Sequence, residues 1–302
     1  MSILHILNGT STLQIFRKSG LQGEVVVWNE ILSEGPMLVD ISSEEFRQLR
    51  ISYLNKVFPD HDYDDMVWGI WELLDSTKDF DEIICWYEYD LFCQVNFMAM
   101  IHWLTVNKAN TKISLICSGL DEKGNLRGLG EWSPAHYDIL FNSRKTIEPS
   151  QQSAASRVWE CYCSAQHDQL LSMVESSSLP YLKEAIGAHL RRFPWTADGL
   201  NEHQRMILSW VAEGEANSER QLVGKCLQNN GYYGFGDLQY FNMVSELAAY
   251  INWDEKELSE KGQSALAGQL KAIDLPEKKF GGASTAEFVY DPEINNLVKC
   301  QS

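Results

Sequence analysis

The first 150 residues alternate short apolar segments with helical ones, and this alternation most constrains the fold of the chain. Four segments are apolar enough to be strands buried on both faces: Ile3–Leu7, Glu24–Trp28, Asp81–Tyr87 and Lys112–Cys117. Segments with helical spacing lie between or after them: Thr10–Lys18, Tyr63–Leu74, Phe92–Val106 and a helix from Ser133 to about Arg144. Strands separated by helices indicate βαβ units and a parallel sheet. The sequence therefore predicts an α/β fold with a Rossmann-like, three-layer N-terminal domain.

The pattern changes near residue 147. The polar stretch Thr146–Ser156 contains Pro149, two glutamines and several serines, which makes it the best linker candidate. Helical spacing dominates beyond it, and Leu258–Leu266 is similar to the end of a winged-helix unit, where a helix runs into a short hairpin. We therefore predict two domains, an α/β ligand-binding-type domain over 1–147 and a mostly α-helical, winged-helix-like domain over 157–302.

Composition limits the partners of the chain. It has 302 residues, 44% of them hydrophobic, and no apolar run approaches the roughly 20 residues that span a bilayer. The N-terminus lacks the basic and apolar regions of a signal peptide, so we expect a cytoplasmic protein with no membrane partner. The net charge is −17, and neither half has the basic excess that drives nonspecific nucleic-acid binding, which makes nucleic acid a disfavoured partner.

Several kinds of site have no support in the sequence. The seven cysteines are scattered, which is typical of free thiols in a reducing compartment, and the pair Cys161 and Cys163 has no second pair to complete a zinc site. No serine occupies a G-x-S-x-G elbow, so nothing indicates nucleophilic hydrolysis. The sequence predicts no metal site, and it leaves any cofactor and the oligomeric state unknown.

The strand ends are the place where a ligand site is expected. In an open α/β sheet, ligands bind outside the carboxyl ends of the strands, where backbone amides and helix N-termini converge. The first strand delivers Asn8, Gly9, Thr10 and Ser11, whose hydroxyls and amides can hold a phosphate or carboxylate, and Glu34 follows the second strand. The alternative is that Asn8 and Gly9 form a plain turn and that Thr10 or Ser11 caps the helix.

Two carboxylates at the end of the third strand form the second half of the predicted site. Trp86, Glu88 and Asp90 fall on one face of an extended chain. Carboxylates leaving a buried strand are costly unless they are paired, hydrated or used in chemistry. We predict Glu88 as the catalytic residue, a general base, and Asp90 as a ligand-binding residue. The alternatives are that the pair binds a cation or that Asp90 caps the next helix.

Several segments together resemble the bacterial family named domain of unknown function 1835. They are His5 to Ser11 (HILNGTS), Trp28 through Glu34-Gly35-Pro36, Trp86 to Gln94, Arg191 to Leu200, Gly234 to Asp237, and Gly281-Gly282. The first loop of that family commonly reads Gly-Asp-Ser, and Thr10 replaces the aspartate here. The resemblance covers nearly the whole chain and implies kinship, but the family has no established activity to carry over.

Three hypotheses for function follow, in descending order. The first is an enzyme or sensor that binds a small anionic metabolite, phosphorylated or carboxylated and including nucleotides, at the strand ends. The second is a protein-interaction or structural module. The third is a DNA-binding regulator, which ranks last because the segment Gly231–Glu255, where a recognition helix is expected, contains no lysine or arginine.

Overall fold

A computed structural model describes residues 2–59, 80–107, 111–270 and 274–300. The chain divides into two compact units. The first comprises Met1–Ala185 together with Phe280–Gly282, and the second comprises Ile186–Lys279 together with Ala283–Ser302. The predicted helix Tyr63–Leu74 lies outside the described residues.

The described strands are β1 Ile3–Leu7, β2 Glu24–Val27, β3 Gly35–Pro36, β4 Glu82–Glu88, β5 Lys112–Ser118, β6 Lys145–Thr146, β7 Ile251–Asn252, β8 Glu257–Leu258, β9 Lys279–Gly281, β10 Ala283–Ser284, β11 Phe288–Asp291 and β12 Asn296–Lys299. The described α-helices are α1 Thr10–Ser19, α2 Glu44–Val57, α3 Leu91–Val106, α4 Pro134–Asn142, α5 Pro149–Cys163, α6 His167–Glu175, α7 Leu182–Arg191, α8 Glu202–Ala212, α9 Glu219–Gln228, α10 Asp237–Glu246 and α11 Glu260–Leu266.

A five-stranded sheet in the order β2-β1-β4-β5-β6 forms the centre of the first unit. The pairs β1–β2, β1–β4 and β4–β5 are parallel, and β6 runs antiparallel to β5. The four predicted strands are all present, with ends within one residue of the expected positions. The predicted α/β fold is therefore confirmed. The predicted linker stretch 146–156 forms the end of β6 and the start of α5, and the position of a domain boundary in solution stays a prediction.

One face of the sheet packs on α1 and α4. The indole of Trp86 on β4 stacks on Tyr137 of α4 at 5.2 Å and meets Phe16 of α1 edge-on at 5.6 Å. Its Nε1 donates to Nδ1 of His5 at 3.0 Å, and the other His5 ring nitrogen lies 3.2 Å from the Gln22 carbonyl oxygen. The buried histidine thus has both ring nitrogens partnered, which identifies it as a core residue and not as a base.

The other face of the sheet packs on α3. Tyr87, whose side chain alternates with that of Trp86, contacts Phe97 of α3 at 6.0 Å. Every residue from Cys93 to Leu104 is buried, because α3 also packs against α5, where His102 Nδ1 lies 2.8 Å from Ser156 Oγ. A helix that is buried on all sides carries apolar residues around its whole circumference. Even so, none of the described helices combines the length and the apolar character needed to cross a membrane.

The second unit packs its helices around a separate core. Residues of α8, α9 and α10 share this core with Tyr250, Leu258 and Ala265. The sequence predicts a helix continuing to Ile251, but α10 ends at Glu246 and Ile251 pairs with Leu258 in the antiparallel hairpin β7–β8. The two strands bury Ile251 and Leu258 against the helical core, and this tertiary packing is what ends the helix early.

The glycine pair near the C-terminus belongs to the first unit. Gly281 pairs with Pro36 in the short parallel ladder β3–β9 and has a φ of +65°. A Cβ on Gly281 would lie 2.5 Å from the Tyr162 carbonyl oxygen, and one on Gly282 would lie 2.2 Å from that of Cys163. The backbone therefore approaches the end of α5 more closely than any side chain would permit.

Candidate functional site

The neighbouring strands β1 and β4 mark the point where the connections of the sheet change direction. From β1 the chain goes to β2 on one side, and β4 and β5 then add on the other side of β1. Such a switch point leaves a crevice outside the carboxyl ends of the two central strands, and ligands of open α/β sheets bind there. Asn8 and Gly9 follow β1 at this edge, and Glu88 ends β4.

Asn8 and Glu88 meet directly at this edge. Asn8 Nδ2 donates to Glu88 Oε1 at 2.8 Å and also lies 3.4 Å from Cys93 Sγ. The amide oxygen of Asn8 accepts from Thr12 Oγ1 at 2.7 Å, so both ends of this side chain are held. The predicted proximity of Asn8 and Glu88 is confirmed, while their role in binding stays a prediction.

A loop after β5 covers Glu88 from a third direction. The backbone N–H of Leu129 donates to Glu88 Oε1 at 2.8 Å. A Cβ on Gly128 would lie 2.9 Å from Glu88 Oε2, so a larger residue here would displace the carboxylate from its present position. Glu131 fixes the loop in turn, because its Oε1 accepts from the Gly128 N–H at 2.7 Å. The half-buried Glu88 carboxylate thus accepts hydrogen bonds from two donors, Asn8 Nδ2 and the Leu129 N–H.

Burial and the charge of a neighbouring carboxylate disfavour the charged forms of Glu88 and Asp90. Burial raises the pKa of Glu88, the hydrogen bonds from Leu129 and Asn8 lower it, and the charge of Glu131 raises it again. Burial, followed by the charge of Glu88, raises the pKa of Asp90 to about 7. The environment of both carboxyl groups therefore favours their protonated forms more than water does.

The first turn of α1 is open beside this pair. Gly9 is the N-cap residue in an extended conformation, and no side chain among the described residues caps the helix. Thr10 and Ser11 are exposed helical residues, so neither acts as the cap that the alternative interpretation expected. A Cβ on Gly9 would meet no atom within 4 Å, so space is free above this backbone. Amides of a first helical turn favour an anionic group there.

Asp90 has a structural role that the sequence anticipated as an alternative. Its Oδ1 accepts from the backbone N–H of Cys93 at 2.8 Å, so Asp90 is the N-cap of α3. The cap interpretation is therefore confirmed, and ligand binding by Asp90 stays a prediction. Glu88, Asp90 and Cys93 also place ligand-type atoms within 4.8 Å of one another. Burial raises the pKa of the Cys93 thiol well above its usual value, which disfavours the thiolate that metal ions require.

Glu34 lies in a segment that a buried ion pair holds in place. Arg50 of α2 donates from Nη2 to Glu30 Oε1 at 2.7 Å and from Nη1 to the Glu34 carbonyl oxygen at 2.6 Å. Arg50 also donates to the carbonyl oxygen of Ile31 at 2.8 Å. The ion pair fixes the backbone at Glu34, and the place of that side chain in the cleft stays a prediction.

The loop over residues 119–132 that covers the site was not predicted from the sequence. Ser118, at the end of β5, accepts from Trp132 Nε1 at 2.9 Å and donates to the Arg127 carbonyl oxygen at 2.6 Å. A Cβ on Gly130 would lie 3.2 Å from the Cβ of Ser11, so the loop also borders the first turn of α1. The available signal was the glycine content of residues 119–130, which is typical of a backbone that approaches other groups closely.

Comparison with known proteins adds no relative to this geometry. No protein-family model matches the chain, and no curated protein matches it.

Proposed function

We propose that the first unit binds a small anionic metabolite, phosphorylated or carboxylated and including nucleotides, at the carboxyl ends of β1 and β4. In this proposal the unit works in the manner of a Rossmann-like domain, with the ligand in the crevice at the switch point of the sheet. The anionic group lies over Gly9, Thr10 and Ser11, and Glu88 contacts a hydroxyl or amine of the ligand.

The observation that supports this proposal most strongly is the hydrogen bond between Asn8 and Glu88. It joins the ends of the two strands at the switch point and holds a carboxylate beside the open first turn of α1. Glu88 has a raised pKa, a property that suits proton transfer at neutral pH better than a solvated carboxylate does. If the unit is an enzyme, Glu88 is its general base; if it is a sensor, Glu88 selects for a ligand donor.

We extend the proposal to the kinship of the chain and to its second unit. We propose that the chain is related to the domain of unknown function 1835 family, and that the second unit is winged-helix-like, with α10 followed by the hairpin β7–β8. The acidic net charge of −17 makes a nucleic acid partner the least favoured alternative. Neither extension changes the site in the first unit.

Native mass spectrometry of the purified full-length protein tests the proposal. We expect an additional mass that corresponds to a small anionic compound, and we expect it to be lost in Gly9→Val. Gly9 has an extended φ of 179°, which any residue adopts, and a valine side chain would fill the space above it. Gly224→Val is the matched control, because Gly224 in α9 of the second unit also has open space around it.

Glu88→Gln separates the two parts of the proposal. Glutamine keeps an oxygen that accepts from Asn8 and Leu129 but removes the carboxylate, so we expect a folded protein with altered ligand affinity or no activity. A ligand that is retained equally by the wild type, Gly9→Val and Glu88→Gln would place binding elsewhere and overturn the proposal. Glu88→Gln that merely unfolds would mark Glu88 as structural.

A further inference from the structure

The second unit contains its own cavity of about 250 Å³. It lies beyond the end of α7 and beside the start of α8, and its lining combines polar and apolar groups, among them Arg192, Pro194, Asn201, Gln204, Leu275 and Lys278. A space of this size accommodates a small molecule, and a mixed lining of this kind is common in ligand sites.

Gln204 lines this cavity and contributes a side-chain amide donor to it. It is the third residue of α8 and forms a capping box with Asn201: its backbone N–H donates to Asn201 Oδ1 at 2.9 Å, and its Oε1 accepts from the Asn201 N–H at 2.9 Å. This arrangement fixes the side-chain oxygen, so Nε2 points the other way. Gln204 is only 8% exposed, and its Nε2 donates to no acceptor within the part of the chain that the structure describes. A ligand acceptor in the cavity would supply the hydrogen bond that this donor lacks.

Two cationic side chains line the same cavity. Arg192 is 2% exposed, and the ammonium group of Lys278 pairs with Glu246 at 2.9 Å. The neighbouring Arg191 is matched by Glu202 at 3.1 Å. These positive charges also act on the buried His203. Burial and then the charges of Arg192, Arg191 and Lys278 lower the pKa of His203 to about 3.

The carboxylate of Glu277, which also lines the cavity, does not neutralise these positive charges. Glu277 is exposed, and its Oε1 accepts from Ser284 Oγ at 2.6 Å. The buried polar residues in the lining include Gln204, with its amide donor, and Arg192, whose Nη2 also lies 2.7 Å from His189 Nδ1, and an oxyanion is a suitable ligand for donors of both kinds. Pro194 and Leu275 add apolar surface beside them.

We propose that this cavity is a second ligand site, which binds the carboxylate or phosphate group of a small organic anion. The oxyanion accepts from Gln204 Nε2 and lies between Arg192 and Lys278, while the body of the molecule packs on Pro194 and Leu275. The site belongs entirely to the second unit and does not depend on the proposed function of Glu88.

Titration of the full-length protein with benzoate and with inorganic phosphate, at constant ionic strength, tests this site. Isothermal titration calorimetry measures the affinity, and the two probes distinguish a carboxylate from a phosphate ligand. We expect saturable binding of at least one probe. Gln204→Glu should weaken it by about tenfold or more, because glutamate keeps the capping box but replaces the free donor with a negative charge.

Two further variants make the result decisive. Lys278→Gln should also weaken binding, whereas Lys225→Gln should not, since Lys225 pairs with Glu215 and does not line the cavity. Absence of saturable binding of either probe to the wild type would overturn the site. So would equal affinity of the wild type and Gln204→Glu, and loss of that binding in Gly9→Val would then assign the anion to the first unit instead.

Discussion

Asn8 Nδ2 donates a hydrogen bond of 2.8 Å to Glu88 Oε1, and the two residues are 80 positions apart in the chain. Because Asn8 also accepts from Thr12 at 2.7 Å, this contact joins the ends of β1 and β4 to the first turn of α1. A change at either residue should therefore affect the electrostatics of the cleft as well as the stability of the unit.

Asn8→Asp should destabilise the protein at pH 8. The substitution places a second carboxylate against Glu88 in a half-buried site, where like charges disfavour ionisation of both groups. We expect a loss on the order of 2 kcal/mol in the free energy of unfolding, measured by urea denaturation. The loss should shrink as the pH falls, because protonation of either carboxyl group removes the repulsion.

Glu88→Gln supplies the control for this charge effect. In the Asn8→Asp background it removes the like-charge contact, so the double variant should recover much of the stability lost at pH 8. A double variant as unstable as Asn8→Asp alone would show that packing, and not charge, dominates at this contact.

Asp90→Asn should stabilise the protein at high pH and leave it unchanged in acid. The pKa of Asp90 is about 7 in the folded state against 3.8 for the ordinary group, so between these values the folded state holds the proton more tightly than the unfolded state does. This carboxyl group therefore makes wild-type stability fall as pH rises from about 4 to about 7. Asparagine also caps a helix, so we expect a gain on the order of 2 kcal/mol at pH 8.

Asp90→Ala is the comparison that isolates the cap. Alanine removes the same charge but loses the acceptor for the Cys93 N–H, so it should be less stable than Asp90→Asn by about 1 kcal/mol at every pH. Identical pH profiles for the wild type and Asp90→Asn would contradict the raised pKa.

Arg50→Met should destabilise the protein by about 3–5 kcal/mol, because it leaves the Glu30 carboxylate buried without its partner. Adding Glu30→Gln should recover part of this loss by removing the buried charge. The recovery should be incomplete, since the carbonyl oxygens of Ile31 and Glu34 lose their donor as well. Chemical denaturation of the single and double variants measures both effects, and a cost below about 1 kcal/mol for Arg50→Met would contradict the assignment.

Gly282→Ala and Gly224→Ala should change stability in opposite directions. A Cβ on Gly282 would lie 2.2 Å from the Cys163 carbonyl oxygen, so the backbone must shift, at a cost of about 1–3 kcal/mol. A Cβ on Gly224 meets no atom within 4 Å inside α9, so alanine there should gain about 0.5–1 kcal/mol. Thermal denaturation of both variants under one condition makes the comparison.

The features that follow from local rules were predictable from the sequence. The strand ends placed Asn8 and Glu88 at one edge, since the carboxyl ends of parallel strands meet there, and the capping box of Asn201 and Gln204 forms between residues three positions apart. Asp90 caps α3 through a residue three positions away, which is also a local pattern.

The contacts that depend on the path of a distant loop were not predictable. Leu129 reaches Glu88 across 41 positions, and nothing in the spacing of either segment indicates that pairing. Nothing in the helical sequence around Arg50 indicates that its guanidinium binds the carbonyl oxygens of Ile31 and Glu34, in the segment after β2. A fold rule gives the edge of the sheet where a site lies, but only tertiary packing decides which backbone groups close over it.

The return of Phe280–Gly282 to the first unit affects the order in which the protein can be made. A ribosome releases residues 186–279 before it releases the segment that pairs with β3 through Phe280 and Gly281. At synthesis rates of roughly 5–20 residues per second, the nascent first unit waits several seconds without its final strand. During that interval β3 lacks its partner strand β9, so the first unit is completed only after most of the second unit has been translated, although most of its own residues are translated first.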